Sequence, residues 1–350
     1  MNMKNIRKIT AIVLCAVLVL SFAACGKKAP TSTGTPAPAT STPTDSPKAP
    51  VTFDREIAVY TLAGPTGIGM TKLMDDNNNK KTALKYTFDI ASSPDQIAAK
   101  VIQGSFDIAA VPVNLASVLF KKTGGKIYVA GVNTLGVLYI LENGNTINSV
   151  ADLKGKTLYA TGQGSTPEYI LKYLLKKNGI DPASDLTIEY IAQHAELATK
   201  MSAGDIKLGM LPEPNVTSAM TANKDLRIAL DLTAEWKKVS DTDLCQGVII
   251  VNKEFADGNP EVVKKFLEEY AASVDFVKAN VEKAADICES VGIIPKAALA
   301  KKAIPNCNLC LVTGDAMKSM VSGMLSVLFE ADPSSVGGEL PADAFYLIQK

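Results

Sequence analysis

The spacing of apolar positions divides this chain before any single residue is considered. Residues 9 to 24 (ITAIVLCAVLVLSFAA) are an uncharged apolar run, residues 26 to 50 hold no aromatic or large aliphatic side chain, and from residue 51 short apolar blocks alternate with runs at helical spacing. EIAVYTL (56 to 62), YTFDIA (86 to 91) and the block at 107 to 111 read as buried strands, with helical patterns between them at 66 to 76 and 95 to 103. A second series follows: KTLYATG (156 to 162), LTIEYIA (186 to 192) and 207 to 211, with helical patterns at 166 to 179 and 194 to 203.

The two series stand in register at a shift of 100 residues. Lys100, Gly104 and Pro112 fall on Lys200, Gly204 and Pro212, and the same shift places Gly64, Thr66 and Lys72 on Gly164, Thr166 and Lys172. One offset that serves separate loops reads as two similar α/β halves. Each strand-helix-strand-helix-strand series predicts a parallel sheet with helices on both faces. Ligands bind beyond the carboxyl ends of such strands, which points to the turns 64 to 67 and 112 to 114 in one half and 162 to 166 and 212 to 215 in the other.

YVAGVNTLGVLYILENG (128 to 144) is one long strand pattern interrupted by Asn133, Thr134 and Gly136, where the chain leaves the first lobe; DLCQGVIIVNKEF (243 to 255) is a strand pattern placed to return to it. The helical run from 260 to 330 is expected to pack on that first lobe. The predicted architecture is α/β and two-lobed, each lobe a parallel-rich sheet with flanking helices, with a ligand cleft at a two-segment hinge. Lobe one takes residues 51–135 plus 245–350 and lobe two residues 136–244.

The N-terminal run is 16 residues long, below the roughly 20 of a spanning helix. Lys4, Arg7 and Lys8 precede it, and Ala23-Ala24 lead into Cys25 before Gly26-Lys27-Lys28. This predicts a lipoprotein signal peptide over residues 1–24, and a Cys25 that carries lipid and anchors the protein on the extracytoplasmic face of the cell membrane. Residues 25–50 cannot bury enough apolar surface to fold. They read as a Pro/Thr/Ser tether with a reach between about 30 Å as a coil and about 80 Å as polyproline.

Charge and cysteine narrow the function. Without the signal the formal charge is −3, and no basic run in the body suggests nucleic acid. Cys245, Cys288, Cys307 and Cys310 are too few for a disulfide scaffold; the Cys307-Asn-Leu-Cys310 spacing lacks a second ligand pair and reads as buried thiols or one local disulfide. No P-loop or zinc motif is present. His194, the one histidine, has no identifiable nucleophile partner and reads as a surface or packing residue of its helix. No catalytic residue, metal or cofactor is expected.

The turns themselves offer backbone donors. Gly64, Gly67, Gly162 and Gly164 allow close approach, helix N-termini near Thr66 and Thr166 add unpaired N–H groups, and Thr66, Ser165 and Thr166 add hydroxyls, which serve a ligand or cap their own helices. The set suits a small oxyanion or the polar edge of a heterocycle. Arg55 and Arg227, the arginines beyond the signal, lie outside the turns, which weakens a dicarboxylate reading. Glu213 in LPEPN would repel a bare anion and favour a ligand with an amine, or else be a solvated loop charge; Trp236 would stack on a ligand ring or pack between lobes. The candidate contacts are Pro65, Thr66, Gly67, Val113, Asn114, Thr134, Gln163, Gly164, Ser165, Thr166, Glu213 and Gln246.

GPTGIGM, AAVPVNLASVLF, DLKGKTLYATGQGSTPEYIL and MLPEPNVTSAM, in this order behind a lipobox, resemble the substrate-binding lipoproteins of ABC importers of the nitrate, sulfonate and taurine type, which include thiamine-pyrimidine-precursor binders, within the NMT1 and type II periplasmic-binding-protein superfamily. The resemblance covers nearly all of residues 54 to 346. It implies a monomer that closes on a small polar organic or oxyanionic solute and docks on an ABC permease with a cytoplasmic ATPase. A yeast pyrimidine-precursor synthase shares the fold, but the resemblance then implies a cysteine cluster that is missing here. A surface lipoprotein acting by protein contacts is the third reading; it has no use for paired glycine turns.

Overall fold

The computed structural model describes residues 51 to 348; the predicted signal peptide, Cys25 and the tether before residue 51 lie outside them. The first half runs β1 (Ile57–Leu62), α1 (Pro65–Ile68), α2 (Thr71–Asn78), β2 (Tyr86–Ala91), α3 (Pro94–Ile102), β3 (Ile108–Pro112), α4 (Val113–Lys122) and β4 (Ile127–Thr134). The second runs β5 (Leu138–Asn143), β6 (Thr157–Ala160), α5 (Thr166–Lys177), β7 (Thr187–Tyr190), α6 (His194–Ala203), β8 (Leu208–Pro212), α7 (Asn215–Ala222), β9 (Leu226–Asp231) and α8 (Leu232–Lys237). The chain then returns through β10 (Gly247–Asn252), α9 (Lys253–Gly258), α10 (Pro260–Ala279), α11 (Val281–Ser290), α12 (Ala297–Ala303), β11 (Leu309–Val312) and α13 (Gly314–Ala331).

These strands form two sheets, one per lobe, in the orders β11-β4-β10-β3-β1-β2 and β7-β6-β8-β5-β9. The duplicated strand-helix series supplies the parallel part of each, β2-β1-β3 and β7-β6-β8, in near-identical register: Val59 pairs with Ile108 and Tyr159 with Gly209. The other strands add antiparallel pairs, three of them, β4, β5 and β10, flanking the two points where the chain crosses between lobes. Thus β10, returning from the second lobe, pairs antiparallel with β3, and β5, newly arrived there, pairs antiparallel with β8 in the matching place.

Period-two alternation sorts the core. In β3 and β10, Ala109, Val111, Val248 and Ile250 join one apolar cluster with Leu119, Val321 and Leu325, whereas Ile108, Ala110, Ile249 and Val251 join another with Leu73, Phe266 and Tyr270. A fully buried aliphatic side chain contributes roughly 1.5–3 kcal/mol, so these doubly covered strands hold the first lobe rigid. A smaller cluster of Leu141, Leu197, Met201 and Val216 backs the second sheet.

Three local features depart from the apolar pattern. The helix expected at 66 to 76 breaks between α1 and α2, where Ser273 from α10 donates to the Gly69 carbonyl at 2.7 Å and accepts from the Leu73 amide at 3.1 Å. The helical run of 260 to 330 contains the strand β11, a four-residue apolar block whose type is set by pairing with β4. And α13 packs on β4 and α4 of the first lobe but also on α5 of the second. Among the described residues Cys245, Cys288, Cys307 and Cys310 are free thiols, no helix is long and apolar enough to cross a membrane, and no group of histidines, cysteines and carboxylates is poised for a metal. Burial pushes the Cys288 and Cys310 thiols up to about 11, which keeps them protonated.

Candidate functional site

Both sheets end at one cavity of about 240 Å³. The first lobe lines it with the turn after β1 (Gly64, Pro65, Thr66), with Ser92 and Pro94 after β2, and with Pro112 and Thr134 at the ends of β3 and β4. The second contributes Ser165, Thr166 and Pro167 at the start of α5, His194 at the start of α6, and Pro212, Glu213, Pro214 and Asn215 between β8 and α7. Val137, Gln246 and Gly247 on the crossing segments close it. Every wall is therefore a carboxyl strand end, a helix start or a hinge, as the topology requires.

The crossings are tied together locally. The Gln246 side chain accepts from the Val137 amide at 2.5 Å, its backbone amide donates to the Thr134 carbonyl at 3.0 Å, and the Leu135 amide donates to the Asn308 carbonyl at 3.1 Å. Gly136 is a close-approach position: a Cβ there would stand 2.0 Å from Thr233 Oγ1 and 2.8 Å from Leu244.

Of the twelve sequence-derived candidates, Pro65, Thr66, Thr134, Ser165, Thr166, Glu213 and Gln246 meet at the cavity. The other five lie elsewhere. Gly67 faces the inside of its lobe, where a Cβ would stand 2.3 Å from the Leu62 carbonyl oxygen and 2.6 Å from Ile293; Val113 is fully buried in the core. Gln163 and Gly164 are exposed on the outer part of their loop, with the Gly164 amide donating to Glu168 at 2.6 Å. Asn114 is buried and accepts from Thr166 Oγ1 at 2.7 Å, a bond from one lobe to the other.

Glu213 is not a solvated loop charge. It is 1% exposed, and its carboxylate accepts from the Thr217 amide (3.1 Å), the Thr217 hydroxyl (2.9 Å) and, across the lobes, Asn306 Nδ2 (3.2 Å). Burial raises its pKa above the ordinary carboxylate value, opposed by these donors. Trp236 belongs to the second lobe's interior: it is fully buried, lies against Tyr173 with ring centroids 4.8 Å apart, and donates to the Thr242 carbonyl at 2.6 Å.

His194 is the wall residue that sequence reasoning assigned to packing. Its Nδ1 is 2.7 Å from Thr161 Oγ1, and desolvation holds its pKa below the ordinary value, which favours the uncharged ring. The signal for it was the 100-residue shift, which sets His194 on Pro94, another wall residue. Arg55 and Arg227 are engaged far from the cavity, in a two-pronged pair with Asp107 (2.6 and 2.7 Å) and a 2.6 Å pair with Glu142. The wall thus combines Leu62, Ala63, Val137 and several prolines with hydroxyls, amides, one carboxylate and one imidazole.

Comparison with known proteins agrees with this geometry. Among solved structures, the chain is similar to an ABC transporter from Parabacteroides distasonis (24% identity, 85% of this chain and 100% of that one, TM-score 0.71). It is also similar to the periplasmic aliphatic sulphonate binding protein SsuA from Escherichia coli (15%, covering 79% and 88%, TM-score 0.66) and to the periplasmic nitrate-binding protein NrtA from Synechocystis PCC 6803 (12%, covering 84% and 91%, TM-score 0.53). These likenesses show the two-lobed periplasmic-binding-protein fold. No curated protein sequence matches the chain. The model of the family described as NMT1/THI5 like matches residues 95–284, more than half of the chain. The chain belongs to the NMT1/THI5-like family.

Proposed function

We propose that this protein is the extracytoplasmic solute-binding component of an ABC importer. It captures a small polar solute by closure of its lobes and delivers it to a permease with a cytoplasmic ATPase. The observation that carries the reading is a cavity whose walls come from the strand ends of both sheets. A ligand that touches both lobes stabilises the closed arrangement over the open one, and that difference is what a permease would sense. Similar folds bind sulphonate in SsuA and nitrate in NrtA, which supports transport over catalysis. The hydroxyl that pairs with His194, that of Thr161, is fully buried and does not line the cavity, so this pair presents no nucleophile to a ligand.

In this reading the signal peptide is cleaved, Cys25 is lipidated, and the tether lets a monomeric domain search the membrane surface beside its permease. The test is a thermal-shift and small-angle-scattering screen of the full chain against sulfonates, nitrate, pyrimidines and aminated analogues. A solute of this function raises the melting temperature and lowers the radius of gyration. Failure of every class to do either, together with turnover of a panel member, would replace the transport reading by an enzymatic one.

A further inference from the structure

Among the described residues, Asp107, Glu142, Glu168 and Glu213 are the buried carboxylates. Three of them are neutralised within the chain: Asp107 by Arg55 at 2.6 Å, Glu142 by Arg227 at 2.6 Å, and Glu168 by Lys172 at 2.5 Å. Glu213, the most buried of the four, has only neutral donors, Thr217 and Asn306. It is also the one that lines the cavity, and that wall holds no lysine or arginine. An ionised carboxylate removed from water without a counter-charge is costly, and folded chains pair such groups. Here the pairing is incomplete at the place open to a ligand.

We propose that the solute supplies the missing cation. The cleft takes a small organic cation, with a protonated amine, amidine or ring nitrogen whose N–H groups donate to the Glu213 carboxylate. Oε2 accepts only from the Thr217 amide and keeps a lone pair for this bond. The proposal rests on the solute-binding reading and narrows it, because bare anions such as nitrate or an alkanesulfonate meet a negative group with no fixed cation beside it. The Asn306 bond joins the same carboxylate to the first lobe, so the charge that recognises the solute also sits on a link between the lobes.

Two series test it on the full chain by calorimetry at pH 7.5: the isosteric benzamidine, benzamide and benzoate, and the smaller methylguanidine, methylurea and acetate. In each series the cation binds at least about tenfold more tightly than the neutral member, and the anion more weakly than either. Glu213→Gln keeps an oxygen for the Thr217 amide but loses the charge; it brings cation and neutral binding within about twofold of each other, with unchanged near-ultraviolet circular dichroism as the folding control. Persistence of the cation preference in Glu213→Gln would show a mere helix-capping carboxylate and overturn the proposal. So would tighter binding of benzoate, ethanesulfonate or nitrate, or binding of an uncharged panel solute while neither cation binds; each leaves the importer reading standing. Absence of binding by every solute of these series and of the thermal-shift screen also overturns the proposal, and the importer reading falls with it only if a screened solute is turned over.

Discussion

Thr166 on α5 and Asn114 on α4 meet through a 2.7 Å hydrogen bond between two buried side chains that belong to opposite lobes. The threonine opens a helix and the asparagine is fastened behind by its own amide to the Ser335 carbonyl at 3.4 Å, so the bond fastens one lobe to the other.

Thr166→Val keeps the shape and leaves the Asn114 oxygen buried without its donor, at a cost of about 1–3 kcal/mol to the closed state. The closed population then falls by about 5- to 150-fold relative to the open one. Solute affinity measured by calorimetry drops with it, and scattering reports a larger radius of gyration. Asn114→Ala acts in the same direction, and the double variant adds little, because both remove one interaction. Independent, additive losses would mean that the two residues are not coupled.

Gly67→Ala tests a position the sequence offered as a ligand contact. A methyl group 2.3 Å from the Leu62 carbonyl oxygen has to displace backbone, for a destabilisation of about 1–3 kcal/mol. Urea denaturation should show this loss. If stability is unchanged while affinity collapses, the glycine faces the solute after all.

Glu213 gives a pH dependence whose sign follows from its raised pKa. Above the unfolded value of 4.5 and up to the folded one, the native state binds the proton that the unfolded state has released, so this group's contribution to stability falls as pH rises through that window. Glu213→Gln removes the slope. The difference in unfolding free energy, wild type minus variant, therefore decreases between acid and neutral pH in denaturant titrations; a difference that grows would mean that the Thr217 and Asn306 donors outweigh the penalty of burial.

Trp236, enclosed by Tyr173 and the Thr242 carbonyl, lies off the cavity wall. Its emission maximum should stay within a few nanometres on saturation with solute yet shift strongly to the red on unfolding. A large solute-induced shift would place the ring in the binding site. Trp236→Ala, by contrast, empties a core position and costs about 3–5 kcal/mol of stability.

Much of this was legible in the apolar pattern, because strands buried on both faces and helices at 3.6-residue spacing leave different signatures and the 100-residue shift repeated them. That shift also marks the cavity: Thr66 with Thr166, Pro94 with His194 and Pro112 with Pro212 are wall residues in both members of each pair. What stayed hidden was decided by contacts distant in sequence. Leu309 to Val312 is a strand only because the edge of β4 was open beside it. Asn114 is engaged by Thr166 of the other lobe, and Glu213 by Thr217 and Asn306; no local spacing reveals the distant partners.

The ladder between β4 and β10 sets Thr134 directly opposite Gly247. The chain leaves and re-enters the six-stranded sheet at neighbouring positions of one antiparallel pair, a separation that a two-residue Asn-Gly reverse turn spans. Residues 135 to 246 are therefore, in topology, an insertion at the tip of a hairpin, and the six-stranded sheet keeps its strand order whatever that tip carries.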